Sequence, residues 1–189
     1  MKRFGGWVLF VLLVLGVIPA PAQPLGADTH QARCRLVGGQ LTLATNGADV
    51  VMGDVVLTGN DQLSSGSSTP TFTIIDATGS GNGWNLTVQS SDFSDGLNVI
   101  PAANFSYTAS GGILTAVFGQ TVDGAGGPRE TGLSGPLNLT LKAVTTSVGF
   151  GRGNYTWSPG ASSFSLLVPA ETFAGTYTAT MTFTLASGP

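Results

Sequence analysis

Short runs in which apolar and polar residues alternate fill residues 40–189. The clearest is residues 177–185, where apolar side chains fall on one face and threonines on the other. Residues 137–143 alternate in the same way, and glycine-rich turns such as DGAGGP separate the runs. Because a period of two is typical of strands with one buried face, the pattern predicts an all-β protein. We expect an antiparallel two-sheet sandwich of about 8–10 strands, with a closed barrel as the alternative, and a long surface loop at residues 120–135.

One strand carries a tryptophan whose role the pattern leaves open. Trp84 and Leu86 lie two residues apart and therefore share a face, while Asn85 lies on the other. The apolar face of a sandwich strand is normally the inner one, so the pattern favours core positions for both. Trp84 also begins its strand, and a tryptophan there often keeps its indole N–H near the surface. A binding role at the rim of the sandwich therefore stays open.

The first residues have the pattern of a secretory signal peptide. Two basic residues precede an apolar run that is too short to span a bilayer comfortably, and a small-residue cleavage pattern ends at Ala22. We expect cleavage after Ala22 or Ala27, so that residues 1–22 are removed and the protein is secreted. Residues 23–39 are then a flexible leader, followed by a single β-sandwich domain at 40–189.

Charge and cysteine content narrow the classes of partner. Cleavage at Ala22 would leave five basic residues against ten acidic ones, so we expect no nucleic acid partner and no membrane association after cleavage. Cys34 is the single cysteine and cannot form an internal disulfide. Arg33 precedes it, where a lipoprotein signal would have a small residue, so we expect a free thiol.

Two segments together resemble the WxL domain of bacterial cell-surface proteins. GWNLTVQSSDF is similar to the first motif of that family, and VPAETFAGTYTATMTFTLASGP is similar to its C-terminal end. The second motif of the family has Trp-x-Leu where this chain has Phe183-x-Leu185. The resemblance covers about 40–189 and implies a module that binds peptidoglycan, or an associated polysaccharide, without a covalent bond. Other cell-surface proteins are further expected partners.

Sugar binding usually needs an aromatic face beside hydrogen-bonding groups. Trp157, close to a turn in NYTWSPG, is the tryptophan that we expect to be the more exposed. Together with the resemblance, this gives the following candidate binding residues: Trp84, Asn85, Leu86, Trp157, Tyr177, Phe183 and Leu185.

Three functions from different classes compete: a non-catalytic wall-binding module, a structural subunit of a surface layer or appendage, and a secreted glycan hydrolase. The resemblance favours the first, whereas the residues alone separate the first two poorly. The chain shows no sorting signal for covalent attachment, so we expect a surface protein of this kind to be held by non-covalent contact. Catalysis has little support, since the only histidine, His30, lies in the leader and most carboxylates lie in turn sequences. The carboxylates considered for paired acid–base roles are Asp76, Asp92, Asp95, Asp123, Glu130 and Glu171.

We expect no cofactor and no metal, with one open alternative. Asp92 and Asp95 in SDFSDG could supply oxygen ligands to calcium, although their spacing is not that of an EF-hand.

Overall fold

The computed structural model describes residues 31–47, 49–122 and 124–189. The predicted signal peptide, His30 and Asp123 lie outside these residues. The chain divides into two units, 1–35 and 36–189. Residues 31–35 are exposed and have no regular structure. No helix in the described part of the chain is long and apolar enough to cross a membrane.

The all-β prediction is confirmed: strands make up 47% of the structure, and the described residues contain no α-helix. A short 3-10 helix lies at Ala102–Asn104. The described residues form fourteen strands, of which ten have five residues or more, in line with the predicted number. The strands are β1 (Leu41–Thr45), β2 (Gln62–Ser68), β3 (Phe72–Asp76), β4 (Trp84–Ser90), β5 (Phe93–Ser94), β6 (Val99–Ile100), β7 (Phe105–Ser110), β8 (Ile113–Gly119), β9 (Arg129–Glu130), β10 (Ser134–Pro136), β11 (Leu141–Thr145), β12 (Gly153–Ser158), β13 (Ala161–Val168) and β14 (Met181–Ser187).

The strands form three four-stranded antiparallel sheets and one small ribbon, β5–β6. Sheet A has the order β1-β3-β12-β8, sheet B the order β10-β7-β13-β2, and sheet C the order β14-β4-β11-β9. None of them closes on itself, so the barrel alternative is wrong. We expected two sheets, but by hydrogen bonding the described strands form three sheets and a ribbon.

Leu137 links sheets B and C. Its carbonyl accepts the N–H of Ser90 at the end of β4 (2.9 Å), and its N–H donates to the carbonyl of Phe105 in β7 (2.8 Å). The side chain of Leu137 is completely buried. Two sheets that are separate as strand ladders are therefore joined through one backbone unit.

Aromatic side chains fill the space between the sheets. Phe72 of sheet A contacts Phe183 of sheet C with ring centroids 4.7 Å apart, so these sheets pack face to face. In sheet B, Tyr107 and Phe164 lie on neighbouring strands and their rings stack at 4.4 Å. Each such pair adds about 0.5–1.5 kcal/mol to what burial of the rings contributes.

Three local predictions from the alternation are wrong. The last strand begins at Met181 and not at residue 177, and residues 137–140 form a turn before β11. Residues 120–135 are not simply a surface loop: they contain β9 and part of β10, and residues 126–128 are buried. Glycines allow this segment to pack closely, which a count of polar residues cannot show.

Substitution of Leu137 tests its role as a link. Leu137→Ala is expected to lower the free energy of unfolding by about 2–5 kcal/mol, because it empties a buried site. Leu139 lies two residues away and is 60% exposed, so Leu139→Ala is the matched control, with a change within about 0.5 kcal/mol. Urea unfolding measures both, and equal effects would contradict the assignment.

Candidate functional site

Trp84 is a core residue that fastens β4 to the connection between β11 and β12. Its side chain is fully buried, and its indole N–H donates to the carbonyl of Gly151 (2.9 Å). Its backbone N–H donates to Oγ1 of Thr146 (2.8 Å), and the N–H of Thr146 returns a bond to the carbonyl of Trp84 (2.8 Å). The core interpretation is therefore confirmed, and the expectation of an indole N–H near the surface is wrong.

Gly151 is required for this arrangement. Its φ is +84°, a conformation that residues with a side chain rarely adopt, and an added Cβ would lie 2.6 Å from the indole nitrogen of Trp84. The connection can therefore approach the tryptophan closely only because glycine is there.

Trp157 is also buried, at 1% exposure, so the expectation that it is exposed is wrong. Its ring stacks on Phe72 at 5.1 Å, and its indole N–H donates to a carboxylate oxygen of Glu130 (2.5 Å). Neither Trp84 nor Trp157 presents a ring on which a sugar could stack in this structure.

The two segments that carry the family resemblance are neighbouring strands. β4 and β14 pair in register, with Leu86 opposite Leu185 and Val88 opposite Phe183. Outside the ladder, the side-chain amide of Asn85 donates to the carbonyl of Gly188 (2.6 Å). Leu86 is completely buried, whereas Phe183 and Leu185 are partly buried and pack against the core.

Tyr177 lies before β14, outside the strand, and is partly buried. Its hydroxyl donates to the carbonyl of Phe173 (3.1 Å), which closes a small loop. Of the candidate binding residues, the structure therefore brings Asn85, Leu86, Phe183 and Leu185 together with Trp84, and it places Trp157 and Tyr177 elsewhere.

The outer surface of sheet C is a flat array of hydroxyl and amide groups, here called the polar face. Its members alternate with the buried residues of β4 and β14 or lie beside them in register: Asn85, Thr87, Gln89, Thr140, Lys142, Thr182 and Thr184. Within it, the Thr140 hydroxyl donates to the Gln89 amide oxygen (2.9 Å), and the Thr87 hydroxyl donates to the Thr184 carbonyl (3.3 Å). Such an array can exchange hydrogen bonds with a polar ligand over a broad area.

The carboxylates considered for catalysis or calcium are mostly used by the fold. Asp92 accepts the N–H of Ala102 (2.7 Å), and Asp76 accepts the backbone N–H of Thr78 (3.0 Å). Glu130 accepts the Trp157 indole. No group of three metal-ligating side chains occurs among the residues that the structure describes.

Asp95 holds the turn that follows β5. Its carboxylate accepts the side-chain amide of Asn98 and the backbone N–H groups of Asn98 and Leu97, at 2.6–2.9 Å. Because these donors stabilise the charged form, they lower the pKa of Asp95 to about 2. The carboxylate is thus part of a tight turn.

A large apolar groove opens beside sheet B, and sequence reasoning missed it. Its volume is about 1080 Å³, at the upper end of the range for binding sites. Its floor is the inner face of sheet B, including Phe105, Tyr107 and Phe164. Its walls are residues 49–55 and 172–181. The sequence feature that could have indicated the groove is the apolar segment VVMGDVV. It lies outside the regular strands except for one bridge, between Met52 and Gly66.

Comparisons with protein-family models, with curated proteins and with solved structures find no match. The functional argument therefore depends on the residues of this chain: the paired strands β4 and β14, the polar face and the apolar groove.

Trp84→Ala is expected to destabilise the fold by about 3–5 kcal/mol, as truncation of a large core side chain does. Trp84→Phe keeps most of the apolar volume but leaves the Gly151 carbonyl without its donor, a loss of about 1–3 kcal/mol. Thermal or urea unfolding of both variants gives the comparison. An unchanged melting temperature for Trp84→Ala would mean that the ring is not part of the core.

The Asp95 turn has a predicted pH dependence. A carboxyl whose pKa is lowered on folding contributes stability above its ordinary pKa of 3.8, and loses that contribution as the pH falls towards about 2. Carbon-detected NMR titration is expected to show an Asp95 midpoint near 2, absent in Asp95→Asn. A midpoint at 3.8 would show that the turn is not formed in solution.

Proposed function

We propose that the protein is an exported, non-catalytic cell-surface module that binds wall polysaccharide non-covalently through the polar face of sheet C. The observation that carries this proposal is the pairing of β4 with β14. The two segments that resemble the WxL domain are separated by about 74 residues in the chain, yet β4 in the first pairs with β14 in the second. Their inward residues build the core, and their outward residues build the polar face.

The chemistry of the polar face suits a glycan. Alternate residues of a strand lie about 6.6 Å apart and neighbouring strands about 4.8 Å apart, so the hydroxyl and amide groups form a regular grid. A polymer of amide- and hydroxyl-bearing sugars has complementary donors and acceptors at repeated intervals. Affinity would come from many modest hydrogen bonds, each worth about 0.5–1.5 kcal/mol net.

Charge attraction contributes little to this proposal. Lys142 is the one basic residue among the seven members of the polar face, Arg129 of β9 lies on the same side of sheet C through its register with Thr145, and the chain as a whole is acidic. Anionic wall polymers would repel such a protein at long range. Binding is therefore expected to survive moderate salt, which screens charges but weakens short hydrogen-bonded contacts little.

Retention on purified cell walls tests the proposal. The exported protein is expected to sediment with peptidoglycan-containing walls at low and moderate salt, without releasing soluble glycan fragments. Gln89→Ala combined with Thr184→Ala removes two groups of the polar face and is expected to weaken retention about tenfold.

Thr115→Ala is the control for that variant, because Thr115 is an exposed strand residue of sheet A. It is expected to bind as the wild type does. Binding through the polar face would be contradicted if the walls fail to retain the wild type at both salt concentrations. It would also be contradicted if Thr115→Ala weakens retention as much as the double variant does.

A further inference from the structure

Among the residues that the structure describes, none fills the apolar groove. Protein interiors are normally packed with few voids larger than a water molecule, yet about 1080 Å³ lies open against aromatic side chains. Both walls are lined by consecutive residues, 49–55 on one side and 172–181 on the other. Since only alternate side chains of an extended segment point to one face, an unbroken run of lining residues means that backbone edges border the groove.

On the wall formed by residues 172–181, Thr178 and Thr180 already bond Ser94 and Ser91, so open backbone capacity among the described residues is confined to the rest of these borders. β14 forms one edge of sheet C and pairs only with β4. On the other side, residues 49–57 run beside β2, where Met52 and Gly66 form a single bridge and Gly53 donates to Ser65 (2.9 Å). An extended segment inserted between two such edges could form main-chain hydrogen bonds while its alternate side chains fill the groove.

The chain itself contains a segment with the matching pattern. Ala32, Cys34 and Leu36 alternate with Arg33 and Arg35 in the sequence ARCRL. Residues 31–40 are all exposed, and Leu36 is 91% exposed although it is a large apolar side chain. One row of this segment is apolar, and the other is basic.

The groove has the complementary charge. Among its described lining residues the only charged side chains are Asp49 and Asp54, both exposed on one wall. A strand whose apolar row faces the floor would direct its arginines to the mouth of the groove, within reach of these carboxylates. Such pairs contribute to orientation and register more than to affinity.

Within one chain, the groove and the residues that lead to the segment lie at opposite ends of β1. The groove is lined by Thr45 and Phe72, which pair at one end of the β1–β3 ladder. Residues 38–40 continue β1 past the other end, where the N–H of Gly39 bonds the carbonyl of Ala77 (2.7 Å). That end lies about 13 Å along β1 from Thr45, farther than the single residue between Gly38 and Leu36 can span.

We propose that residues 32–36 of a second copy of this chain insert as a strand into the apolar groove. Each copy then offers its own segment to one neighbour and its own groove to another. Contacts of this head-to-tail kind build open linear assemblies unless the rotation from copy to copy closes a ring. The assembly needs no glycan and is independent of the polar face, and it gives the structural-subunit alternative a specific interface.

Sedimentation velocity of the exported full chain, in reducing buffer and without walls, tests the proposal. Species of two or more chains are expected, and their size is expected to grow with protein concentration. Leu36→Asp places a charge on the apolar row and is expected to leave single chains. Val37→Ser is the matched control, since Val37 is 78% exposed, lies on the opposite row and gains no charge, so this variant is expected to assemble as the wild type does.

A charge exchange sharpens the test. Arg33→Glu with Arg35→Glu is expected to weaken assembly, and combining these changes with Asp49→Lys and Asp54→Lys is expected to restore it. Far-UV circular dichroism confirms that each variant keeps its strand content, because this signal comes from the backbone and not from the aromatic floor of the groove. A wild type that stays a single chain at every concentration overturns the proposal. The proposal is also overturned if the Leu36→Asp variant still assembles. It is overturned again if native mass spectrometry shows a small apolar molecule bound to single chains.

Discussion

The hydrogen bond from the Trp84 indole to the Gly151 carbonyl is the contact on which the centre of the fold depends. It places the largest side chain of β4 beneath the connection between β11 and β12, and two backbone bonds to Thr146 fix its position. The ring also lies 5.9 Å from Tyr155 of sheet A. One residue therefore ties sheet C to sheet A. Without it, β4 would lose the first of its inward side chains. The strand would then be less strongly held with its apolar face towards the core.

The same alternation explains why fold class and face assignment could be predicted from the sequence. The inward positions of β4, Trp84, Leu86 and Val88, are all completely buried, as a period of two predicts. Burial follows directly from the local pattern, because a strand has only two faces. The pattern also placed Phe183 and Leu185 on the core side of the last strand, where the structure has them.

Strand ends and the groove could not be predicted, because they depend on distant partners. Tyr177 continues the alternation of β14, but the chain bends where Thr178 bridges to Ser94, and the ladder with β4 begins only at Met181. Trp157 lies near a turn, which suggested exposure, yet Glu130 from a distant strand accepts its indole N–H. The groove arises from three elements that are far apart in sequence. No window of adjacent residues carries information about such a space.

The pairing of β14 with β4 also has a mechanical consequence. Hydrogen bonds of an antiparallel ladder run perpendicular to the strands, and seven residue pairs connect these two. A force applied along β14 loads all the rungs in parallel, so they must break together. A force applied across it opens them one after another at much lower load. For the surface module proposed above, which flow and growth of the wall would load by shear, the direction in which β14 is pulled would determine whether the paired strands resist the force together or separate one hydrogen bond at a time.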